Sequence, residues 1–120
     1  MEAKSITVLV VEDEPLVRTM AAEIFADAGY RVCEACDALG ALSILAARND
    51  ICAVLTDIEM PGGMNGVALA AAIREQWPDM AILVTSGRVF PSEADLPQGV
   101  GFLAKPWRIN EIVGSMAAML

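Results

Sequence analysis

The chain has 120 residues, of which 56% are hydrophobic and 20% charged, so it can bury the core of one compact domain and does not resemble a disordered chain. Its net charge of −8 would repel a phosphate backbone, which argues against direct nucleic-acid binding. It contains no histidine, which excludes Ser-His-Asp and Cys-His catalysis, histidine metal sites and a phosphohistidine carrier.

The first half of the chain alternates between short β-branched runs and helical patterns. The run from Ile6 to Val11 predicts a buried strand and ends in three acids, Glu12, Asp13 and Glu14. A proline in the first turn and a glycine beyond the last are typical of a helix from Pro15 to about Gly29. A strand over Tyr30–Ala35 and a helix over about Asp37–Arg48 follow.

The second half repeats this alternation. A strand over Ile51–Thr56 ends at Asp57, and a helix over about Asn65–Trp77 is stopped by Pro78. Two prolines between residues 88 and 99 leave room for a turn or two, so the fourth helix should be short or irregular. The remaining elements are strands over Met80–Thr85 and Gly101–Ala104 and a last helix from about Ile109.

Five buried strands alternating with helices predict an α/β fold. We expect one doubly wound domain over residues 1–120, with a five-stranded parallel sheet and helices on both faces. Ligands of such folds bind at the carboxyl ends of the strands. The residues that follow the strands are therefore the candidate site.

Five chemically active side chains follow four different strands: Glu12 and Asp13, Asp57, Ser86 and Lys105. Three carboxylates held close together repel one another, so a hard divalent cation is expected among them, and Mg²⁺ fits oxygen ligands best. A carboxylate such as Asp57 can attack phosphorus and form an acyl phosphate. Ser86 and Lys105 would then stabilise the transferred group as a hydroxyl donor and a cation.

The motifs VVEDEP, LTDIEMPGGMNG, VTSG and FLAKP resemble, in that order, those of response-regulator receiver domains along nearly the whole chain. The resemblance implies the strand order 2-1-3-4-5 of the chemotaxis member of the family, which is a known example of this fold. It implies that Asp57 is the phosphoacceptor. The residues that it implies for the metal are Glu12, Asp13, Asp57 and the backbone carbonyl of Glu59.

The resemblance also implies a switch. Ser86 would move toward the phosphoryl group, Lys105 would pair with that group, and Phe102 would be the aromatic ring that changes rotamer. Many members have tyrosine at the position of Phe102, and a phenylalanine makes no hydrogen bond in either state. The Lys105–Pro106 bond is expected to be cis, as in relatives.

These features predict a phosphoacceptor switch of a two-component phosphorelay rather than an enzyme. Its expected partners are a histidine kinase or phosphotransfer protein, which supplies the phosphoryl group, and a downstream protein target. Alternatives are a magnesium-dependent aspartyl phosphohydrolase, which would want a cap over its substrate, and a pseudo-receiver that binds without phosphorylation. A free-standing regulator and a receiver from a hybrid kinase both fit the sequence.

Glu59 and Arg88 stand two residues beyond Asp57 and Ser86, respectively. By resemblance these positions flank the approach of water to the phosphorus. An ion pair between the two side chains would slow loss of the phosphoryl group, by up to roughly fivefold for an exposed pair. The alternative is that both side chains point into solvent.

Other features favour ordinary structural roles. No apolar stretch is long enough to span a membrane and the N-terminus has no secretion pattern, so we expect a cytoplasmic protein that does not bind membranes. The three cysteines, Cys33, Cys36 and Cys52, predict reduced thiols. Trp107 suits packing or a partner contact equally. Met116, Met119 and Leu120 predict core packing, or else a partner face through which strand five and the last helix form a homodimer.

Overall fold

A computed structural model of the chain describes residues 6–92 and 95–120. Within these residues nine elements follow one another in the predicted order, and their bounds differ from the predicted ones by at most two residues. The elements are β1 (Thr7–Val11), α1 (Pro15–Asp27), β2 (Arg31–Ala35), α2 (Ala38–Ala47), β3 (Ile51–Asp57), α3 (Gly66–Gln76), β4 (Ala81–Ser86), β5 (Gly101–Ala104) and α4 (Ile109–Met119).

The strands form one parallel sheet in the order β2-β1-β3-β4-β5, which confirms the predicted topology. Every residue of β1 and β4 is buried, and so is every residue of β3 except Cys52. Strands covered on both faces are expected to be mainly apolar, and the buried polar residues of these strands lie at or near their ends. The parallel arrangement brings the carboxyl ends of β1, β3, β4 and β5 to one edge of the sheet.

Two hydrophobic cores cover the two faces of the sheet. On one face, Phe25 of α1 packs with Ile112 and Met116 of α4. On the other, Leu45 of α2 packs with Leu69 of α3. The prediction of helices on both faces is therefore confirmed, and it places Met116 in the core, whereas Leu120 is 44% exposed.

Helix ends follow from local side chains. Asp37 and Asn65 cap α2 and α3 by accepting hydrogen bonds from the amides of Gly40 and Ala68, at 2.8 and 2.9 Å. Gly29, with a φ of 102°, continues the chain beyond α1 in a conformation that favours glycine. Among the described residues, no helix has the length and apolar character required to cross a membrane.

Gly66 allows α3 to begin against the end of β3. Its amide donates a hydrogen bond to the Ile58 carbonyl at 2.9 Å, which closes the intervening loop. A Cβ atom at this position would lie 2.1 Å from the backbone oxygen of Asp57. Only a glycine therefore permits this path of the loop beside the candidate phosphoacceptor.

The segment between β4 and β5 has no α-helix within its described residues, 87–92 and 95–100. The prediction of a short or irregular fourth helix included Glu93 and Ala94, which lie outside the described residues. Pro91 cannot donate a backbone hydrogen bond, and residues 87–90 before it are irregular rather than helical. The described part of the connection from β4 to β5 is thus irregular chain.

Candidate functional site

Three acidic side chains meet at the carboxyl edge of the sheet. Glu12 and Asp13 directly follow β1, and Asp57 is the last residue of β3. Carboxylate oxygens of these three residues all lie within 4.8 Å of one another. Glu12 and Asp57 are only 3% and 5% exposed, whereas Asp13 is exposed to solvent. The structure therefore brings together the three predicted acids.

Lys105 joins two of these acids from the loop after β5. Its ammonium donates a hydrogen bond to Glu12 Oε1 at 2.9 Å and lies 3.2 Å from Asp57 Oδ1. The peptide bond that follows, Lys105–Pro106, is cis, as expected. One cation against three carboxylates leaves the cluster with an excess of negative charge, which a divalent ion would offset.

The second oxygen of Glu12 also has a partner. Glu12 Oε2 accepts a hydrogen bond from the amide of Glu14 at 3.2 Å, and Arg18 donates to the Glu12 carbonyl at 2.9 Å. Glu12 is thus held by contacts on both sides of its carboxylate and at its backbone. Asp13 is the exposed carboxylate of the three, and Asp57 has one described contact, to Lys105.

Burial and repulsion act directly on the ionisation of Asp57. Removal from water and the nearby charge of Glu12 raise the pKa of Asp57 above its ordinary value, against the opposing effect of Lys105. Burial alone would lower the pKa of Lys105, but its contacts with Glu12 and Asp57 outweigh burial and raise it. The site therefore holds a cation that stays charged beside a carboxylate whose charge is costly.

Ser86, the last residue of β4, is fully buried and holds the chain that follows it. Its hydroxyl oxygen accepts hydrogen bonds from the amides of Arg88 and Val89, at 3.1 and 2.9 Å. Farther along, Phe90 is 63% exposed and packs edge-on against Phe102 of β5, with ring centroids 6.0 Å apart. Ser86 and Phe102 are therefore linked through one short segment.

Comparison with known proteins agrees with this geometry, since residues 8–117 match the family described as response regulator receiver domain. The chain belongs to the response regulator receiver family. This confirms the resemblance found in the motifs.

Relatives of this receiver domain include larger proteins, of which it matches only a part. It is 32% identical over 97% of its length to the sensor kinase CckA of Brucella abortus (strain 2308), of which it spans 13%. It is 37% identical over 91% of its length to the positive alginate biosynthesis regulatory protein of Pseudomonas aeruginosa, of which it spans 45%. The chain thus spans less than half the length of either relative.

A solved structure shares the whole arrangement. The response regulator TrrA of Thermotoga maritima, in complex with Mg²⁺ and a beryllium fluoride group, superposes with a TM-score of 0.82 at 27% identity. The match covers 95% of this chain and 98% of that one. The likeness therefore extends over the complete receiver fold.

The predicted ion pair between Glu59 and Arg88 is not formed in the part of the receiver that the structure describes. The ion pairs found there join Arg18 to Glu34, Arg48 to Asp50, and Lys105 to Glu12 and to Asp57. Both Glu59 and Arg88 are exposed at the edge of the site. Their effect on the lifetime of a phosphoryl group stays a prediction.

Sequence reasoning missed a buried hydroxyl beside the site. Thr85 Oγ1 donates a hydrogen bond to the Leu103 carbonyl at 2.6 Å and accepts one from the Trp107 indole at 2.8 Å. Trp107 is half-buried, and the Lys105 ammonium lies 5.8 Å from the centre of its ring. Strand alternation could have placed the Thr85 hydroxyl on the opposite side of the sheet from Ser86, although not its hydrogen bond to Trp107.

Proposed function

We propose that this receiver accepts one phosphoryl group on Asp57. The observation that carries the proposal is the buried Asp57 carboxylate held 3.2 Å from the Lys105 ammonium, at the strand edge where Glu12 and Asp13 also lie. An Asp57 oxygen forms the new bond to phosphorus, and the bond between phosphorus and the donor breaks with its electron pair leaving on the donor. The product is an aspartyl phosphate.

Charge determines which residues assist the transfer. Lys105 already lies beside Asp57 and offsets the negative charge that the phosphoryl oxygens bring. Ser86, at the end of the adjacent strand, has a hydroxyl proton that it can donate to a phosphoryl oxygen. In this structure its hydroxyl oxygen accepts hydrogen bonds from two backbone amides. Lys105 thus serves the transfer, and Ser86 couples it to the segment 87–92.

The donor set fits Mg²⁺. The ion would be held by Asp13, Asp57 and the backbone carbonyl of Glu59. The fixed carboxylate of Glu12 would help to orient the ion. Once bound, Mg²⁺ neutralises carboxylate charge and polarises phosphoryl oxygens. Two of the three acids are buried, and among the described residues Lys105 is the cation that contacts their carboxylates, which supports a site for a divalent ion.

The partners follow from the same chemistry. A histidine kinase or phosphotransfer protein would donate from phosphohistidine, in keeping with the likeness to the sensor kinase CckA. A downstream protein would read the changed surface near Phe90 and Phe102. A homodimer through β5 and α4 and a cytoplasmic location belong to the same proposal.

Intact mass spectrometry tests the proposal. Incubation with Mg²⁺ and a small phosphodonor such as acetyl phosphate should add one phosphoryl group to the wild type and none to Asp57→Asn, because an amide is a poor nucleophile. Asp50→Asn is the matched control, since Asp50 is an exposed carboxylate paired with Arg48 before β3. Labelling of Asp57→Asn would refute the assignment, and an unlabelled wild type would favour a pseudo-receiver.

Removal of the ion with a chelator tests the metal separately. Labelling should fall to background without Mg²⁺ and return when it is restored. Wild-type labelling at an unchanged rate in chelator would contradict a role for the ion. Release of many phosphates per chain, with no labelled chain, would instead favour the phosphohydrolase alternative.

A further inference from the structure

Trp107 is anchored beside the site by a hydrogen bond to a buried hydroxyl. Its indole N–H donates to Thr85 Oγ1 at 2.8 Å, and Thr85 in turn donates to the Leu103 carbonyl at 2.6 Å. Thr85 is 1% exposed, so this relay is shielded from competing water. The ring is therefore fixed in orientation as well as in place.

The anchor lies where the strands of the site meet. Thr85 pairs in register with Asp57 on one side and with Leu103 on the other, and Ser86 is the next residue along β4. The Thr85 backbone oxygen accepts a hydrogen bond from the amide of Ile58 at 2.9 Å. The indole thus connects the loop that carries Lys105 to the strand beside the phosphoacceptor.

The Lys105 ammonium lies between the indole and the carboxylates. It is 5.8 Å from the ring centre, 2.9 Å from Glu12 Oε1 and 3.2 Å from Asp57 Oδ1. A lysine has four rotatable side-chain bonds and would otherwise sample many positions in solvent. An aromatic face behind the ammonium attracts the cation and also limits the space into which it can swing.

We infer that Trp107 is a positioning residue for phosphoryl transfer: the Thr85 hydrogen bond fixes the indole, and the indole holds Lys105 toward Asp57. The inference rests on the proposed function but concerns a different residue. Trp107 touches neither the donor nor the phosphorus, so its effect must pass through Lys105. That dependence distinguishes positioning from ordinary packing.

Five variants separate the ring from its anchor. Trp107→Leu removes the cation–π face and should slow labelling by acetyl phosphate about fivefold. Trp107→Phe keeps a ring but loses the N–H, and Thr85→Val loses the acceptor, so each should slow labelling about twofold. The double variant of these two should be no slower than either single one, because both break one bond. Thr85→Ser keeps the hydroxyl and should be labelled at the wild-type rate.

Trp77→Leu is the matched control. The chain has two tryptophans, and Trp77 lies at the end of α3, on the edge of the sheet opposite the site. This variant should lose thermal stability without a change in labelling rate, when rates are measured well below the melting temperature. An equal slowing by Trp77→Leu and Trp107→Leu would reduce the role of Trp107 to general packing.

Combination with Lys105→Ala tests the route of the effect. Trp107→Leu should add no further slowing in a Lys105→Ala background, because the group that it positions is gone. An undiminished fivefold slowing in that background would overturn the inference. Normal labelling of Trp107→Leu would also overturn it while leaving Asp57 as the phosphoacceptor.

Lysine NMR tests the inference without any phosphoryl transfer. The chain has two lysines, Lys4 and Lys105, so lysine-selective labelling gives a spectrum that can be assigned with Lys105→Ala. Trp107→Leu should increase the fast motion of the Lys105 terminal methylene, and Trp77→Leu should not. If the wild type takes no phosphoryl group, the proposed function fails, but this measurement still decides whether the indole holds the lysine.

Discussion

The ends of β1 and β3 and the segment after β4 lie at the same edge of the sheet, yet they are held very differently. Glu12 and Asp57 are buried and linked through Lys105 by contacts of 2.9 and 3.2 Å. Residues 88–90 are exposed. Their described contacts with the domain are hydrogen bonds from two of their amides to the Ser86 hydroxyl and the packing of the Phe90 ring on Phe102.

Under the proposed function, this difference separates phosphoryl transfer from signalling. Side chains that must meet a phosphoryl group are fixed beforehand, which reduces the cost of reorganisation during transfer. The neighbouring segment is tied by few contacts, so a change at Ser86 alone can release it. Substitutions in the first region should change rates or stability, and those in the second should change the response while leaving transfer nearly intact.

After Asp57 itself, the largest effect is expected at Lys105. Lys105→Met removes the cation beside Asp57 and should slow labelling by acetyl phosphate at least tenfold, the scale for loss of one charge-stabilising group. Intact mass against time measures the rate. Arg108→Ala is the control, since Arg108 is an exposed cation in the same loop. Comparable slowing in both variants would indicate a general effect of net charge.

The melting temperature without metal tests how much the buried charge of Asp57 destabilises the fold. The pKa of Asp57 is raised by burial and by Glu12, so the folded chain gives up this proton less readily than the unfolded chain. Stability is therefore lost as pH rises from the ordinary carboxyl value through the folded one, and it stays lost at neutral pH. Asp57→Asn should raise the melting temperature at pH 7 by roughly 3 to 6 °C, as expected for about 1 kcal/mol.

This gain should shrink as pH falls toward 3.8, the ordinary pKa of an aspartate, because the wild-type Asp57 then becomes neutral. Asp50 gives the opposite sign, since its hydrogen bond to Arg48 lowers the pKa of an exposed carboxyl. Asp50→Asn should therefore leave the melting temperature unchanged or slightly lower. Thermal scans in chelator across pH check both, and a destabilised Asp57→Asn at pH 7 would contradict the sign.

The loosely held segment should respond to Ser86. Ser86→Ala removes the acceptor for the Arg88 and Val89 amides, so their hydrogen exchange should accelerate about fivefold, the value of roughly 1 kcal/mol. Amides of β1 should be unaffected. Protection unchanged at residues 88 and 89 would show that the hydroxyl does not anchor the segment.

The same contacts predict how a phosphate mimic acts. Beryllium fluoride with Mg²⁺ should shift the NMR signals of Ser86, Phe90 and Phe102 together in the wild type, because a moving hydroxyl releases the segment that ends on the ring. In Phe90→Ala the signals of Ser86 should still shift. Shifts confined to the ends of β1 and β3 would leave a phosphoacceptor without this switch.

The smallest effect is expected at Glu59 and Arg88. Because these exposed side chains form no ion pair in the described structure, Glu59→Ala and Arg88→Ala should shorten the phosphoryl lifetime by about twofold or less, the lower end for exposed pairs. Lifetimes at low salt, where screening is weakest, give the fairest comparison. Lengthening of the lifetime in either variant would show that these side chains assist the water rather than block it.

The sequence predicted the ends of β1 and β3 better than the segment after β4. Strand ends in a parallel sheet must meet at one edge, so Glu12, Asp13, Asp57 and Lys105 could be placed together from alternation alone. Hydrophobic periodicity also located the nine described helices and strands to within a residue or two. These features depend on local patterns that repeat along the chain.

What the sequence could not predict depends on side-chain geometry across the sheet. Nothing local indicates that Trp107 would donate to Thr85, 22 residues earlier, or that Lys105 would reach Glu12 as well as Asp57. The Glu59–Arg88 pair was inferred from position only, and exposed side chains rarely give up their freedom for such a weak contact. Prolines indicated an irregular segment after β4 without revealing how Ser86 holds it.

Gly66 affects how a mutational scan of this domain would be interpreted. A methyl group there would collide with the backbone of Asp57, so most substitutions would silence signalling as completely as loss of the carboxylate itself. The position would be scored with the active-site residues, although it supplies no reactive atom. Measurement of protein abundance alongside signalling would distinguish such a steric requirement from a chemical one, because only the former should also lower the amount of folded chain.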